Sequence, residues 1–116
     1  MIKGIHHISI IVSSDESVAF YRSLGFDITK KIDRDYDSVV LMEGYGIKLE
    51  LFIDPKHPQR ADNPENLGLR HLSLQVDNLD SVLDRFECGR VMKDWFGYRY
   101  CITNDPDGLP IVFYEL

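Results

Sequence analysis

Two histidines and one carboxylate in this sequence have the types and spacing of a metal site. His7 and His71 lie 64 residues apart and open the same pattern, which reads His, Ile or Leu, Ser, Ile or Leu, any residue, Val. Glu50 stands in the middle of an otherwise mostly apolar strand pattern. Two imidazoles and one carboxylate suit a divalent transition metal, and three protein ligands leave coordination positions open for water or substrate.

The repeat decides how these residues are interpreted. A single histidine on a strand is more often a hydrogen-bonded core or surface residue than a ligand. Equivalent histidines in a duplicated module, together with a carboxylate that needs a partner, favour a metal. We therefore predict a divalent ion (Ni, Zn, Co, Mn or Fe) bound by His7, Glu50 and His71. His6 has the opposite strand parity and His57 lies in a proline-rich segment, so neither is expected to be a ligand.

The duplication also sets the domain organisation. A second pair of similar segments begins at Gly46 and Gly108, 62 residues apart, so the two halves match along most of their length. Repeats put equivalent side chains where the halves meet, which favours a site there. The chain is predicted to be a single domain over residues 1–116, with module one at 1–53, a linker at 54–67 and module two at 68–116.

Hydrophobic periodicity and turn residues predict the same βαβββ order in each module, and therefore an α+β fold. Ser13, followed three residues later by Glu16, is typical of a capping box at the start of the first helix. The predicted elements of module one are a strand at 5–12, a helix at 14–24 and strands at 26–33, 37–43 and 47–53. Those of module two are a strand at 68–76, a helix at 79–88 and strands at 90–94, 97–103 and 109–115.

Composition excludes several classes of protein. A chain of 116 residues with 44% hydrophobic content can bury one core, which the two repeats must share. The net charge of −6 and the lack of a Lys/Arg cluster argue against a nucleic-acid partner. No signal peptide and no apolar run of about 20 residues is present, so we expect no membrane association and a cytoplasmic location. Cys88 and Cys101 lack C-x-x-C spacing and are expected to be unpaired.

The motifs around these residues resemble the glyoxalase I / vicinal oxygen chelate superfamily (glyoxalase/bleomycin resistance/dioxygenase), and within it the small stand-alone proteins of bacteria. The resemblance covers nearly the whole chain. It is carried by residues 7–12, 19–21, 24–26, 49–52, 68–72, 76–78 and 105–110. The resemblance implies paired βαβββ modules that form a cupped eight-stranded mixed sheet around the metal, with helices on the outside. It also implies a homodimer, which open sheet edges favour independently.

The family pattern departs from this sequence at one ligand. Lyase members bind the metal through His, Glu, His and Glu on the first and fourth strands of each module, and the matching positions are His7, Glu50, His71 and Val112. Val112 can neither bind a metal nor move a proton. Glu115 is three residues further on, an odd offset that places it on the opposite strand face. The resemblance therefore leaves Glu50 as the catalytic base that moves a proton between adjacent carbons.

The resemblance favours a metal-dependent, lactoylglutathione-lyase-like lyase or isomerase that acts on a small carbonyl or hydroxy-carbonyl compound. Ile11 replaces the arginine of glutathione-dependent members, which argues against a glutathione adduct as substrate. One alternative is a non-catalytic, resistance-type binding protein with a degraded metal site, which Val112 favours. Another is an extradiol-type dioxygenase, although those members take their carboxylate from the last strand.

Four further residues could line a pocket for an anionic substrate. They are Arg70, Tyr98, Arg99 and Tyr100. Such side chains more often form a solvated or half-buried strand face, so they are not included in the predicted site.

Overall fold

The computed structural model describes residues 1–116 as two compact units, Met1–Pro58 and Gln59–Leu116. The first unit contains β1 (Ile8–Val12), α1 (Asp15–Ser23), β2 (Asp27–Asp33), β3 (Ser38–Gly44) and β4 (Ile47–Ile53). The second contains β5 (Leu72–Val76), α2 (Leu79–Leu83), β6 (Met92–Lys93), β7 (Arg99–Asn104) and β8 (Pro110–Glu115). The α+β class and the repeated βαβββ order are confirmed, with the eight strands divided between two mixed sheets of four.

The two sheets share one topology. Their strand orders are β1-β4-β3-β2 and β5-β8-β7-β6, with a parallel first pair and antiparallel remaining pairs. The parallel pair sets Ser9 opposite Glu50 in the first unit and Ser73 opposite Val112 in the second. Glu50 and Val112 therefore occupy equivalent positions in the two sheets.

Side chains alternate between the two faces of each sheet. One face holds most of the buried apolar side chains, and the other, called the open face, is more exposed except at Val112, which is buried. The buried apolar side chains of the first unit are Val12, Val18, Tyr21, Leu24, Phe26, Val40, Met42, Leu49 and Leu51. Those of the second include Leu79, Val82, Cys101, Ile111 and Phe113. Burying each large apolar side chain contributes about 1.5–3 kcal/mol relative to leaving it in water. The open faces carry the polar residues considered below.

Both predicted helices are present, but their ends differ from the prediction. Helix α1 is capped by Ser14, whose Oγ accepts a hydrogen bond from the Glu16 backbone N–H at 3.3 Å, so the choice of Ser13 as the cap was wrong. Helix α2 ends at Leu83 instead of continuing to residue 88. The apolar spacing extends to Phe86, which lies beyond the end of the helix and packs on Phe113 with the two ring centroids 5.2 Å apart.

The first strand of each unit begins later than predicted. β1 starts at Ile8 and β5 at Leu72, so His7 and His71 each lie immediately before a strand. The proline-containing residues 54–67 contain neither a helix nor a strand, only an isolated bridge between Asp62 and Glu65. No helix is long and apolar enough to cross a membrane.

Candidate metal and ligand site

The first unit brings two predicted ligands together on its open face. His7 Nε2 lies 3.5 Å from Glu50 Oε1, and the two side chains are 34% and 26% exposed. Ser9, directly opposite Glu50 on the neighbouring strand, donates a hydrogen bond from its Oγ to Glu50 Oε1 at 3.4 Å. The sheet register thus places one imidazole and one supported carboxylate side by side.

His6 acts on the ring of His7, a role that its opposite strand parity did not suggest. The Nδ1 atoms of His6 and His7 are joined by a hydrogen bond of 2.8 Å, and the two rings meet edge to face. When His7 Nδ1 carries the proton of this bond, His7 Nε2 presents a free lone pair on the side of Glu50. A hydrogen bond to the other ring nitrogen is how proteins usually orient a metal-binding histidine.

The donor chemistry of this pair fits a divalent metal. A neutral imidazole nitrogen and a carboxylate oxygen are the ligands that first-row divalent ions take in proteins. Among residues 1–116, no group of three or more His, Cys, Asp or Glu side chains is placed to bind a metal. The structure therefore supplies two donors in one unit, and the third predicted ligand, His71, lies in the other unit.

The second unit has a different open face. His71 immediately precedes β5, and Val112 lies between Ser73 and Ile102 in register. Only 5% of Val112 is exposed. These four residues line a cavity of about 570 Å³, whose walls come entirely from residues 60–114. An apolar floor therefore stands where the first unit has its carboxylate.

A carboxylate does reach this face, but from a turn. The Tyr114 hydroxyl donates to Asp94 Oδ2, and the backbone N–H groups of Phe96 and Tyr98 donate to Asp94 Oδ1 at 2.9 and 3.0 Å. Burial raises the pKa of Asp94, but these hydrogen bonds outweigh it and hold that pKa below its usual range. The hydrogen bond to Asp94, helped by burial, raises the pKa of Tyr114 to about 12. Asp94 followed by Gly97 is a turn signal from which this carboxylate could have been found.

Glu115 has a structural role on the opposite face, as its strand parity predicted. Its Oε2 accepts the backbone N–H of Leu79 at 2.9 Å, and its Oε1 lies 3.2 Å from Arg99 Nη1. Both of its oxygens are engaged at the start of α2 and at β7, so Glu115 does not replace the carboxylate missing at Val112.

The four residues considered as a pocket lining divide into two groups. Arg70 and Tyr100 line the cavity, and the Arg70 guanidinium is paired with Glu65 at 2.9 Å. Arg99 is instead bound to Glu115, and the Tyr98 ring lies 5.6 Å from that of Tyr114 without lining the cavity.

The two cysteines are free. Burial, followed by a hydrogen bond with Cys101, raises the pKa of the Cys88 thiol to about 12. A thiol that remains protonated at neutral pH is a poor nucleophile and a poor metal ligand.

Comparison with known proteins identifies the family. A family model for the Glyoxalase/Bleomycin resistance protein/Dioxygenase superfamily matches residues 4–113. The chain belongs to this superfamily. The uncharacterized protein YaeR of Escherichia coli (strain K12) is 35% identical over 126 aligned residues, which cover 98% of this chain and 97% of YaeR. The crystal structure of a glyoxalase family protein from Enterococcus faecalis is 31% identical, with a TM-score of 0.89 and coverage of 97% of this chain and 98% of that one.

More distant solved structures share the fold. Lactoylglutathione lyase from Agrobacterium tumefaciens is 23% identical with a TM-score of 0.70, covering 97% of this chain and 92% of the lyase. A mutant of the fosfomycin resistance protein FosX from Listeria monocytogenes, complexed with Mn(II) and 1S,2S-dihydroxypropylphosphonic acid, is 15% identical with a TM-score of 0.74. It covers 98% of this chain and 93% of FosX. The fold of this chain is therefore shared by a protein named as a lyase and by a protein complexed with Mn(II).

Proposed function

We propose that this protein is a metal-dependent lyase or isomerase of the glyoxalase type, acting on a small carbonyl or hydroxy-carbonyl compound. The observation that carries the proposal is the His7–Glu50 pair, with His7 Nε2 and Glu50 Oε1 3.5 Å apart on one sheet face. His71, which holds the repeat-related position, is proposed as the third ligand. A divalent ion bound by these residues would polarise the oxygens of a carbonyl substrate.

The remaining roles follow from the contacts of the first unit. Glu50 is proposed to take a proton from one substrate carbon and return it to the next, since no other carboxylate lies beside His7 on this face. The Ser9 hydroxyl holds Glu50 Oε1, and His6 sets the orientation of the His7 ring. Both contacts would keep the base and the ligand in place while the proton moves.

Metal analysis tests this proposal directly. Protein purified without chelator should contain about one divalent ion per site, and His7→Ala or His71→Ala should lose it, because too few ligands remain. His57→Ala is the matched control, since His57 lies beside Asp54 and outside the site. His6→Ala should keep the bound metal, although with lower affinity, because His6 orients the ring of a ligand without being one. Equal metal in the wild type and in His71→Ala would contradict the assignment.

Val112 favours a second candidate function, that of a small-molecule binding protein without chemistry. An apolar residue with 5% exposure at the position equivalent to Glu50 suits a cavity that holds a ligand without converting it. Stoichiometric metal together with turnover of a carbonyl compound would eliminate this candidate. No observation favours the dioxygenase, since the carboxylate of β8, Glu115, is bound at α2 and Arg99.

A homodimer is part of the proposal. Each sheet has open edges, and Ile28, Ile32 and Ile47 of the first unit are 44%, 62% and 37% exposed. Unpaired strand edges and exposed apolar side chains are commonly covered by a second copy of the chain. Light scattering should give twice the chain mass of 13.4 kDa at micromolar concentration, and a monomer mass would contradict the dimer. The free thiols of Cys88 and Cys101 fit the cytoplasmic location that we also propose.

A further inference from the structure

The second-unit cavity has the dimensions of a small-molecule site. Its volume of about 570 Å³ lies within the range of roughly 300–1,000 Å³ that small-molecule sites occupy. His71 lines this cavity, so a ligand in it would also contact one of the proposed metal ligands.

Four large aromatic side chains line the cavity. Trp95 and Phe96, from the turn between β6 and β7, are 86% and 72% exposed, and their rings lie 5.9 Å apart. Tyr100 and Tyr114 line the sheet side, above the apolar floor at Val112. Two large exposed rings beside an apolar floor can pack against the flat, apolar part of a ligand. This packing removes apolar surface of both the rings and the ligand from water.

One positive charge in the cavity, that of Arg60, forms no direct ion pair. Arg60 is half-buried, and its Nη2 donates to the backbone carbonyl oxygens of Leu69 and Arg70 at 2.9 and 3.0 Å. These neutral acceptors fix the guanidinium without cancelling its charge. The ion pairs of this unit, Arg70–Glu65 and Arg99–Glu115, do not include Arg60.

Three acidic groups line the cavity, and none of them forms an ion pair with Arg60, although Arg70, helped by Arg60, holds the pKa of Glu65 below its usual range. Glu65 is bound by Arg70, and Asp94 accepts hydrogen bonds from the Tyr114 hydroxyl and from two backbone N–H groups. The third, Asp62, is exposed to solvent, where water screens its charge. Arg60 is thus the charged group held in place and left free for a ligand.

We infer that this cavity binds a small organic carboxylate that carries an aromatic or flat apolar group. Arg60 pairs with the carboxylate through its remaining N–H donors, because the planar guanidinium matches carboxylate geometry. The aromatic walls contact the apolar group. Binding in this cavity does not depend on the proposed function, and only the conversion of the bound ligand rests on it.

The single tryptophan of the chain, Trp95, reports on the cavity directly. Its fluorescence is measured on the full chain, dialysed against chelator and then also loaded with Zn(II), during titration with three probes. These are 3-phenylpropanoate, neutral 3-phenylpropan-1-ol, and propanoate, which lacks the ring. In both metal states, 3-phenylpropanoate should bind at least about tenfold more tightly than either of the others, because only it uses both the charge and the rings. Equal binding of the acid and the alcohol, or no saturable response, would overturn the inference.

Matched arginine variants locate the charge. Arg60→Gln should weaken 3-phenylpropanoate about tenfold without changing the alcohol, whereas Arg90→Gln, outside the cavity, should change neither. Arg60→Lys keeps the charge and should recover part of the affinity, which provides a test even where the Gln variant folds poorly. Acid binding that requires metal and survives Arg60→Gln would place the carboxylate on the metal and overturn the inference. Failure of the proposed function is distinct, because it would appear as missing metal with intact binding of 3-phenylpropanoate.

Discussion

The open faces of the two units have the same strand register but differ in the side chain opposite the serine of the first strand. In the first, Ser9 stands opposite Glu50 and donates a hydrogen bond to it. In the second, Ser73 stands opposite Val112, which is 5% exposed. The strand register is the same in the two units, while the side chain at the equivalent position is a carboxylate in one and aliphatic in the other. One face therefore suits ligation and proton transfer, and the other suits an apolar ligand.

The acidic residues of the two units also differ in what they are free to do. Glu50 contacts His7 and Ser9 and has capacity for a further partner. Asp94 accepts two backbone N–H bonds and the Tyr114 hydroxyl, so it holds a turn together. A carboxylate with three donors has little capacity left for a metal. Whether a carboxylate on a sheet face can bind a metal therefore depends on how many hydrogen bonds its oxygens already accept.

The largest effect is expected from Glu50→Val, which gives the first unit the side chain of the second. Two neutral histidines would remain, so bound metal and any lyase activity should fall to background. Elemental analysis and a carbonyl-substrate assay measure both. Glu43→Val is the matched control, because Glu43 is exposed and lies near Lys48, 3.9 Å away. Unchanged metal in Glu50→Val would break the comparison between the two faces.

Val112→Glu tests the difference from the other side. Without metal, burying this charge should lower the free energy of unfolding by roughly 2–5 kcal/mol. With Ni(II) or Zn(II), a second carboxylate would offset the net charge of about +1 left by two histidines and one glutamate, so stability and metal affinity should rise.

Thermal melts with and without metal separate these effects, with Val112→Gln as an uncharged control of similar size. A Val112→Glu variant that is less stable than wild type in both conditions and binds no additional metal would refute the idea that Val112 marks a lost ligand.

A smaller effect is expected from the two serines. Ser9→Ala removes the hydroxyl that donates to Glu50 Oε1 at 3.4 Å, and loss of such a supporting hydrogen bond weakens metal binding about tenfold. Ser73→Ala removes the equivalent hydroxyl opposite Val112 and should leave affinity unchanged. Competition with a chromophoric chelator measures both variants. Equal losses of metal affinity in Ser9→Ala and Ser73→Ala would contradict a specific role of Ser9 in supporting Glu50.

The smallest effect concerns Asp94 at acid pH. Its pKa is lowered in the folded state, so its charged form stabilises the fold above about pH 4 and this contribution is lost as the pH falls through the folded pKa. Asp94→Asn should therefore be less stable than wild type at neutral pH, and the gap should narrow on acidification. Melts across the acid range measure this gap. A gap that stays constant with pH would mean that the Asp94 charge contributes nothing to stability.

Tyr114→Phe sharpens that result. It removes one donor to Asp94, so it should shift the acid transition in the same direction by less than Asp94→Asn does. Metal content should be unaffected in both variants, because neither side chain belongs to the ligand pair of the first unit. Altered metal content would indicate that Asp94, and not Glu50 alone, takes part in metal binding.

Local patterns predicted most of the elements because strand and helix periods are properties of neighbouring residues. The order βαβββ, the pairing of His7 with Glu50 and the equivalence of Glu50 and Val112 all follow from alternation and from the repeat. The prediction was wrong where a distant contact competed with the local pattern. The helix was predicted to reach residue 88, but the Glu87 carbonyl accepts a hydrogen bond from Thr103 Oγ1 and the Gly89 N–H donates to the Ile102 carbonyl, so this segment is bonded to β7 and α2 ends at Leu83.

The α+β fold, the repeated order of elements and the asymmetry at Val112 could be predicted from the sequence, because each depends on residue types at fixed spacing. The side-chain contacts could not be predicted in this way. The bond from Tyr114 to Asp94 and the anchoring of Arg60 on the carbonyl oxygens of Leu69 and Arg70 join residues 9 to 20 positions apart. The hydrophobic periodicity of a strand or helix does not predict such contacts, because they form only when turns and loops pack against the folded sheet.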